Sequence, residues 1–189
     1  LKSGSKIRVD DRLNFEADSN SNYGKKALEA FKNGNYLKFL VEESDGLAKK
    51  ENDDKSSTYA KQAQAIAFII QKYYGIAPHF NELVQDESKN YEDTMKRFLG
   101  SRQGVLESFL AKLIEKTKGI EERDKFVQAL NNQGFDYAEG FDVGIKNKES
   151  GEPTIHLSYK KEKDGEIIFE YNEDIDKDML LRIAESNKV

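Results

Sequence analysis

The acidic segment near the C-terminus places carboxylates at the spacing of a calcium-binding loop. Asp174, Asp176 and Asp178 fall at positions 1, 3 and 5 of an EF-hand-like loop, and Glu185 falls at position 12, where a bidentate carboxylate belongs. Met179 occupies position 6, which such a loop reserves for glycine, and the preceding residues have the pattern of a strand. The competing interpretation is that Asp174 or Asp176 caps a final helix while Asp178 lies in its first turn. The sequence favours capping and keeps cation binding as the alternative.

The chain contains two histidines. His79 has Glu82 and Asp86 at helical spacing, but neither an HExxH arrangement nor a second nearby imidazole accompanies it. We interpret His79 as a polar residue in the first turn of a helix. His156 shares the polar face of a predicted strand with Ser158, and a nucleophilic Ser–His pair would need further partners from elsewhere in the fold.

Aromatic residues surround the segment from Gly75 to His79. Together with His79 they could line a groove for a peptide or a small apolar ligand, and they are Tyr73, Tyr74, Phe80 and Tyr91. Aromatic residues at helical spacing also form hydrophobic cores, which is the competing interpretation.

Several kinds of chemistry have no signal in the sequence. The absence of cysteine excludes disulfides, thiolate metal sites and thiol nucleophiles. Neither a GxxxxGK[ST] nor a GxGxxG motif occurs, and the serine between Gly100 and Gly104 stands one place too early for a nucleophile elbow. Adjacent carboxylates such as Glu42 and Glu43 are expected by chance in a chain with 35 Asp and Glu, and we predict that they face solvent. Nothing indicates a cofactor.

The charge balance limits the choice of partner. The net charge is −5 and the cations are interspersed with acids, so the sequence has no concentrated basic face for nucleic acid and favours a protein partner. The longest apolar run, residues 65–70, is far shorter than the roughly 20 residues of a membrane span. The chain begins with Leu1, so residues 1–5 are interpreted either as the end of a tether in an exported or lipid-anchored protein or as a trimmed terminus. A cytoplasmic location and an exported one both fit.

Glycines mark predicted helix ends in the first two thirds of the chain. Gly34, Gly75, Gly119 and Gly134 each follow a segment with helical apolar spacing. The spacing predicts two short helices over residues 23–33 and 36–50. A third, over residues 59–74, is apolar on more than one face and is predicted to be the most buried.

A further apolar stripe runs from residue 87 to residue 118. Its members are Tyr91, Met95, Phe98, Arg102, Leu106, Phe109, Leu110 and Leu113. An unbroken helix of this length would extend about 48 Å. Gly100 and Gly104 interrupt the stripe, so one helix and two helices are both open.

The apolar period changes from helical to alternating after Gly134. Three half-buried strands are predicted, around residues 141–145, 155–159 and 167–171, with turns at 147–152 and 160–165. Asp164-Gly165 is a hairpin signal, so we expect an antiparallel meander. A closing helix is predicted over residues 176–187.

These elements predict a mostly α, α+β architecture: a bundle of four to six helices, then a three-stranded antiparallel meander and a C-terminal helix. Residues 1–22 are predicted to be a flexible segment with an edge strand over residues 6–10. Residues 23–189 are predicted to form one domain, with helices over 23–134 and the sheet plus final helix over 135–189.

Three classes of function fit the sequence. The favoured one is a non-enzymatic interaction or accessory protein, exported and tethered by its N-terminus in one version. The alternatives are a binding module for a peptide, small ligand or cation, and an enzyme of unrecognised type.

Overall fold

A computed structural model describes residues 9–86, 88, 91–148 and 151–185. The edge strand predicted over residues 6–10 lies outside the described residues except for Val9 and Asp10, which are irregular. The first described element is a 3₁₀ turn, Asp11–Leu13. The Asp10 carboxylate caps this turn by accepting a hydrogen bond from the Arg12 N–H at 3.2 Å.

Two helical segments close to the predicted bounds open the fold. Helix α1 spans Asn22–Lys32, and the Ser21 hydroxyl caps it by accepting from the Gly24 N–H at 2.9 Å. Helix α2 (Tyr36–Phe39), a π-helical turn (Leu40–Ser44) and helix α3 (Asp45–Glu51) follow as one continuous stretch. These elements enclose a small hydrophobic cluster of Tyr23, Ala27, Tyr36, Phe39, Leu40 and Ala48.

Helix α4 is longer than predicted. It spans Tyr59–Val84, about 39 Å at 1.5 Å per residue, and passes through Gly75 and Pro78. The predicted stop at Gly75 is wrong, because this glycine does not adopt the left-handed conformation that ends a helix. At the other end, the backbone N–H of Tyr59 donates to the Ser44 hydroxyl at 2.9 Å, which joins α4 to the π-helical turn.

The long stripe that follows α4 forms only one helix. Helix α5 spans Val105–Lys118, and residues 91–104 have no helix or strand. Gly104 has φ 97°, and a Cβ there would lie 2.7 Å from the Tyr36 ring, so the backbone turns sharply where α5 begins. Helix α6, Ile120–Ala129, begins directly after Gly119, which confirms the predicted stop. The helix before Gly134 ends earlier than predicted, at Ala129.

The C-terminal third forms the predicted meander and final helix. Strands β1 (Asp142–Lys146), β2 (Thr154–Lys163) and β3 (Glu166–Ile175) form one antiparallel sheet in the order β1-β2-β3. Asp164 and Gly165 make the two-residue turn between β2 and β3, both with positive φ. Helix α7, Lys177–Glu185, then packs on α4.

One large hydrophobic core joins the helices to the sheet. It contains buried residues of α4, α5, α6, β2, β3 and α7. The Phe126 ring of α6 lies 5.7 Å from Tyr159 and 5.3 Å from Phe169, measured between ring centroids. Residues 59–74 were predicted to form the most buried helix. The fraction of buried residues is about the same in α5, so the two helices share the centre of the fold. Among the described residues, no helix combines the length and the hydropathy needed to cross a membrane.

Candidate functional site

The segment between α4 and α5 carries four large exposed apolar side chains within nine consecutive residues. We call residues 91–104 the connector. Every residue from 91 to 100 is exposed. The exposed fractions are 52% for Tyr91, 36% for Met95, 87% for Phe98 and 41% for Leu99. These four residues, which we call the connector stripe, belong to neither hydrophobic cluster of the described residues.

The spacing of the connector stripe is that of an amphipathic helix. Its members fall at i, i+4, i+7 and i+8, so a helix here would place all four on one side. The charges fit the same conformation, since Glu92 and Asp93 would lie in the first turn and Lys96 and Arg97 after it. Acids near the N-terminus of a helix are favoured by its dipole. The connector therefore has the sequence of a helix without a surface to pack against.

The C-terminal end of the connector, residues 101–104, is held in place by hydrogen bonds that involve side chains. The Ser101 hydroxyl donates to the Leu13 carbonyl oxygen at 2.7 Å, and the Gln103 amide donates to the Phe135 carbonyl oxygen at 3.4 Å. The backbone N–H of Gly104 donates to Glu107 Oε2 at 2.9 Å. Residues 101–104 are thus a fixed base from which residues 91–100 extend.

Glu107 is the buried centre of this base. It is 1% exposed, and its second carboxylate oxygen accepts from the Phe135 N–H at 2.7 Å. Burial raises the pKa of the Glu107 carboxyl above its ordinary value, while the surrounding backbone N–H groups oppose that shift. The carboxylate joins the start of α5 to the chain after α6, which is a structural role.

The residues predicted to line an aromatic groove around His79 lie in different surroundings. Tyr74 is buried and its hydroxyl donates to Glu152 at 3.0 Å, whereas Tyr73 is half-buried against the large core. His79 and Phe80 lie in the last two turns of α4, and Tyr91 lies in the connector. The prediction that His79 begins a helix is wrong, because α4 continues through it.

His79 makes a local side-chain contact. Its Nδ1 lies 3.2 Å from Glu82 Oε2, and both side chains are largely exposed. The helical spacing noted in the sequence therefore places these two side chains in contact on the surface of α4.

The acidic residues near the C-terminus are divided between a strand and a helix. Asp176 Oδ1 accepts from the Met179 N–H at 2.6 Å, which confirms the predicted capping of the final helix. Asp174 lies in β3, Asp178 lies in the first turn of α7, and Glu185 is the last residue of α7. Within the described ranges, no group of three or more His, Cys, Asp or Glu is placed to hold a metal ion.

Asp174 also contacts the second histidine. His156 Nδ1 lies 2.8 Å from Asp174 Oδ1 across the strands β2 and β3. A carboxylate at Nδ1 is the orientation of a catalytic His–Asp pair. Both side chains lie on the exposed face of the sheet, 45% and 74% exposed, so solvent surrounds the pair.

Two depressions on the described surface are lined by other residues. One, of about 90 Å³, lies between the α2 region and α6 and includes Lys38 and Asp124. The other, of about 380 Å³, lies between Val9, Leu13 and residues 100–102, at the base of the connector. The larger depression therefore adjoins the connector.

Sequence reasoning placed Tyr91, Met95 and Phe98 on a helical apolar stripe and left open whether one helix or two carries it. Helical period shows which side chains share a face, and it does not show whether a neighbour covers that face. Tyr137, which is 104% exposed on the loop before β1, carried no signal. No protein-family model matches the chain, and no curated protein sequence or solved structure matches it significantly.

Proposed function

We propose that the protein is a non-enzymatic interaction protein that binds a partner protein through the connector stripe. The observation that carries this proposal is the exposure of Tyr91, Met95, Phe98 and Leu99 at helical spacing. On one face of a helix these four side chains would form a contiguous apolar patch, and such patches mark sites of interaction.

The spacing indicates the form of the complex. Anchors at i, i+4, i+7 and i+8 are those of an amphipathic helix that lies in an apolar groove of its partner. The connector would fold into that helix on binding, and the ordering of its backbone would offset part of the affinity. Gly100, a poor helix former, ends the helix and leaves the base at 101–104 unchanged.

The charges favour protein over a lipid surface. Lys96 and Arg97 alone would suit anionic headgroups, but Glu92 and Asp93 lie in the same segment and the whole chain carries a net charge of −5. A partner groove with both acidic and basic residues at its rim would match this distribution.

The test has two steps: photo-crosslinking identifies the partner protein, and a binding measurement then gives its affinity. Phe98 is replaced by p-benzoylphenylalanine, and Tyr137, which is even more exposed and lies outside the connector, receives the same replacement as the control. The protein that crosslinks at position 98 is then purified and its Kd is measured. We expect Phe98→Ala to weaken binding at least about tenfold, as for a central anchor, and Tyr137→Ala to leave the Kd unchanged.

Two results would contradict the proposal. One is a Kd that Phe98→Ala leaves unchanged. The other is Phe98-dependent binding to vesicles of anionic phospholipid, which would identify a membrane surface in place of a partner protein.

A further inference from the structure

One side of α4 has the spacing of a helix-pairing seam along its whole length. Steps of three and four residues alternate, which is the 3.5-residue period of paired helices. The members are Tyr59, Gln62, Ile66, Ile69, Tyr73, Ile76, Phe80 and Leu83. The first half of this seam is occupied by α5.

The contacts with α5 set an antiparallel register. The Lys112 ammonium lies 4.6 Å from the centre of the Tyr59 ring, and the Ser108 hydroxyl donates to Gln62 Oε1 at 3.4 Å. Moving along α4 therefore corresponds to moving back along the chain from Lys112. Seven residues forward from Tyr59 is Ile66, and seven residues back from Lys112 is Val105, so this count pairs Ile66 with Val105.

The same count continues into the connector. It places Tyr73 opposite Phe98, Ile76 opposite Met95, and Phe80 opposite Tyr91. Residues 101–104 are not helical, so the count alone does not set the register of the connector, but the steps match: Phe98, Met95 and Tyr91 are three and four residues apart, as are the seam positions Tyr73, Ile76 and Phe80.

The second half of the seam is open in the structure. Ile76 is 36% exposed, and Phe80 and Leu83 are only half-buried. None of the three belongs to either hydrophobic cluster of the described residues. The opposite side of this part of α4 is covered, since Tyr74 bonds Glu152 and the Ala77 carbonyl accepts from the Asn147 amide at 2.8 Å.

We propose that residues 91–100 form a strap that closes as a helix over this open seam, with Tyr91, Met95 and Phe98 packed on Phe80, Ile76 and Tyr73. As a statement about regulation of the partner-binding stripe, this inference rests on the proposed function. The closed strap hides the stripe, so the partner competes with α4 for it.

Chain length permits closure within one molecule. From Tyr73 to Val84, the last residue of α4, the helix rises about 17 Å, and ten helical residues span about 15 Å, so a strap helix of residues 91–100 matches this part of α4 in length. The far end is already anchored, because Ser101 bonds Leu13. Leu13 packs on the same core as Tyr73. A strap of the same chain is therefore the occupant that the connectivity favours.

The absence of cysteine allows a direct test by engineered disulfides. In the full chain, Ile76→Cys is combined with Met95→Cys. The control combines Ile76→Cys with Arg97→Cys, two residues further along and on the opposite side of the strap helix. Under mild oxidation we expect the first pair to close within one molecule about ten times faster than the control, since a disulfide needs its Cβ atoms about 4 Å apart. Adding Lys96→Pro, which breaks the helix, should make the two rates equal.

Equal rates without the proline would overturn closure, and a disulfide that links two copies would overturn the assignment to one chain. The affinity of the purified partner separates the two proposals. Oxidised Ile76→Cys/Met95→Cys protein should bind it at least about tenfold more weakly than the reduced protein. If the rates are equal while Phe98→Ala still weakens binding, closure fails and the proposed function stands. If the first pair closes selectively while Phe98→Ala has no effect on the Kd, the proposed function fails.

Discussion

Glu115 joins three helices through a single carboxylate. Its Oε2 accepts from the Arg123 guanidinium of α6 at 3.0 Å and from the Tyr59 hydroxyl of α4 at 3.2 Å. Its Oε1 accepts from the Lys112 ammonium of α5 at 3.1 Å. Burial alone would raise the pKa of Glu115, but the hydrogen bonds and charges of Arg123 and Lys112 hold it below its ordinary value.

The lowered pKa of Glu115 means that its contribution to the stability of the fold depends on pH. A carboxyl whose pKa is lower in the folded protein than in the unfolded chain stabilises the fold above the unfolded pKa. The contribution is lost as the pH falls through the folded pKa.

We expect Glu115→Gln to lower the free energy of unfolding at pH 7 by about 1.5–3 kcal/mol, because Arg123 and Lys112 lose their ionised acceptor. Urea unfolding between about pH 7 and pH 3 measures this, and the variant should lose less stability on acidification than the wild type. Glu122→Gln, which breaks a more exposed pair with Lys125, is the control and should change stability by less than about 0.5 kcal/mol. An acid dependence that is the same in wild type and Glu115→Gln would contradict the assignment.

For individual residues, the sequence predicted which carboxylates face solvent and did not predict which ones are buried. The adjacent carboxylates Glu42 and Glu43 are exposed, as expected. Glu107 and Glu115 had no distinguishing pattern, because the Phe135 N–H and the Arg123 guanidinium reach them only in the folded chain. Asp176 was predictable, since a cap depends on residues three positions away.

At the scale of the element, apolar period identified helices and strands better than it identified their ends. The stop predicted at Gly75 failed, and the break at Gly104 was one of two alternatives. The two glycines differ in their surroundings. A Cβ on Gly75 would meet no atom within 4 Å, whereas at Gly104 the left-handed backbone, the Tyr36 ring and Leu40 exclude one.

Substitution by alanine should therefore have opposite effects at these two glycines. Gly75→Ala should raise the free energy of unfolding by about 0.5–1 kcal/mol, because alanine loses less backbone entropy in a helix interior. Gly104→Ala should lower it by more than about 1 kcal/mol through strain and steric overlap. Urea denaturation of both variants is the measurement. If Gly75→Ala is destabilising, Gly75 ends a helix after all.

The connector shows why the period alone misplaced a helix. A stripe predicts a helix only when another surface covers the stripe, since burial of the apolar face supplies most of the stability of a helix in a protein. In the described structure nothing covers Phe98, and the segment is irregular. The strap proposal and the partner proposal name two surfaces that could supply this burial.

At the scale of the whole molecule, the sheet has only one face to bury and the helices bury it. Ile155, Leu157 and Tyr159 of β2 point into the same core as α5 and α6. The alternation of these residues was visible in the sequence, and it predicted the meander. Helix α6 covers the sheet through the contacts of the Phe126 ring with Tyr159 and Phe169. These contacts join residues far apart in the chain, so no local sequence pattern predicts them.

We expect a fragment of residues 135–189 to remain unfolded when it is expressed alone. Its apolar face would lose Phe126, which packs on Tyr159 and Phe169, and α7 would lose α4, where the Gln64 amide donates to the Ala184 carbonyl oxygen. A chain of this size also buries too little apolar area to offset its conformational entropy. Circular dichroism during heating is the measurement, with the full chain as the control: the fragment should show no cooperative transition where the full chain shows one. A sigmoidal transition from the fragment would establish that the sheet and α7 fold as a domain of their own.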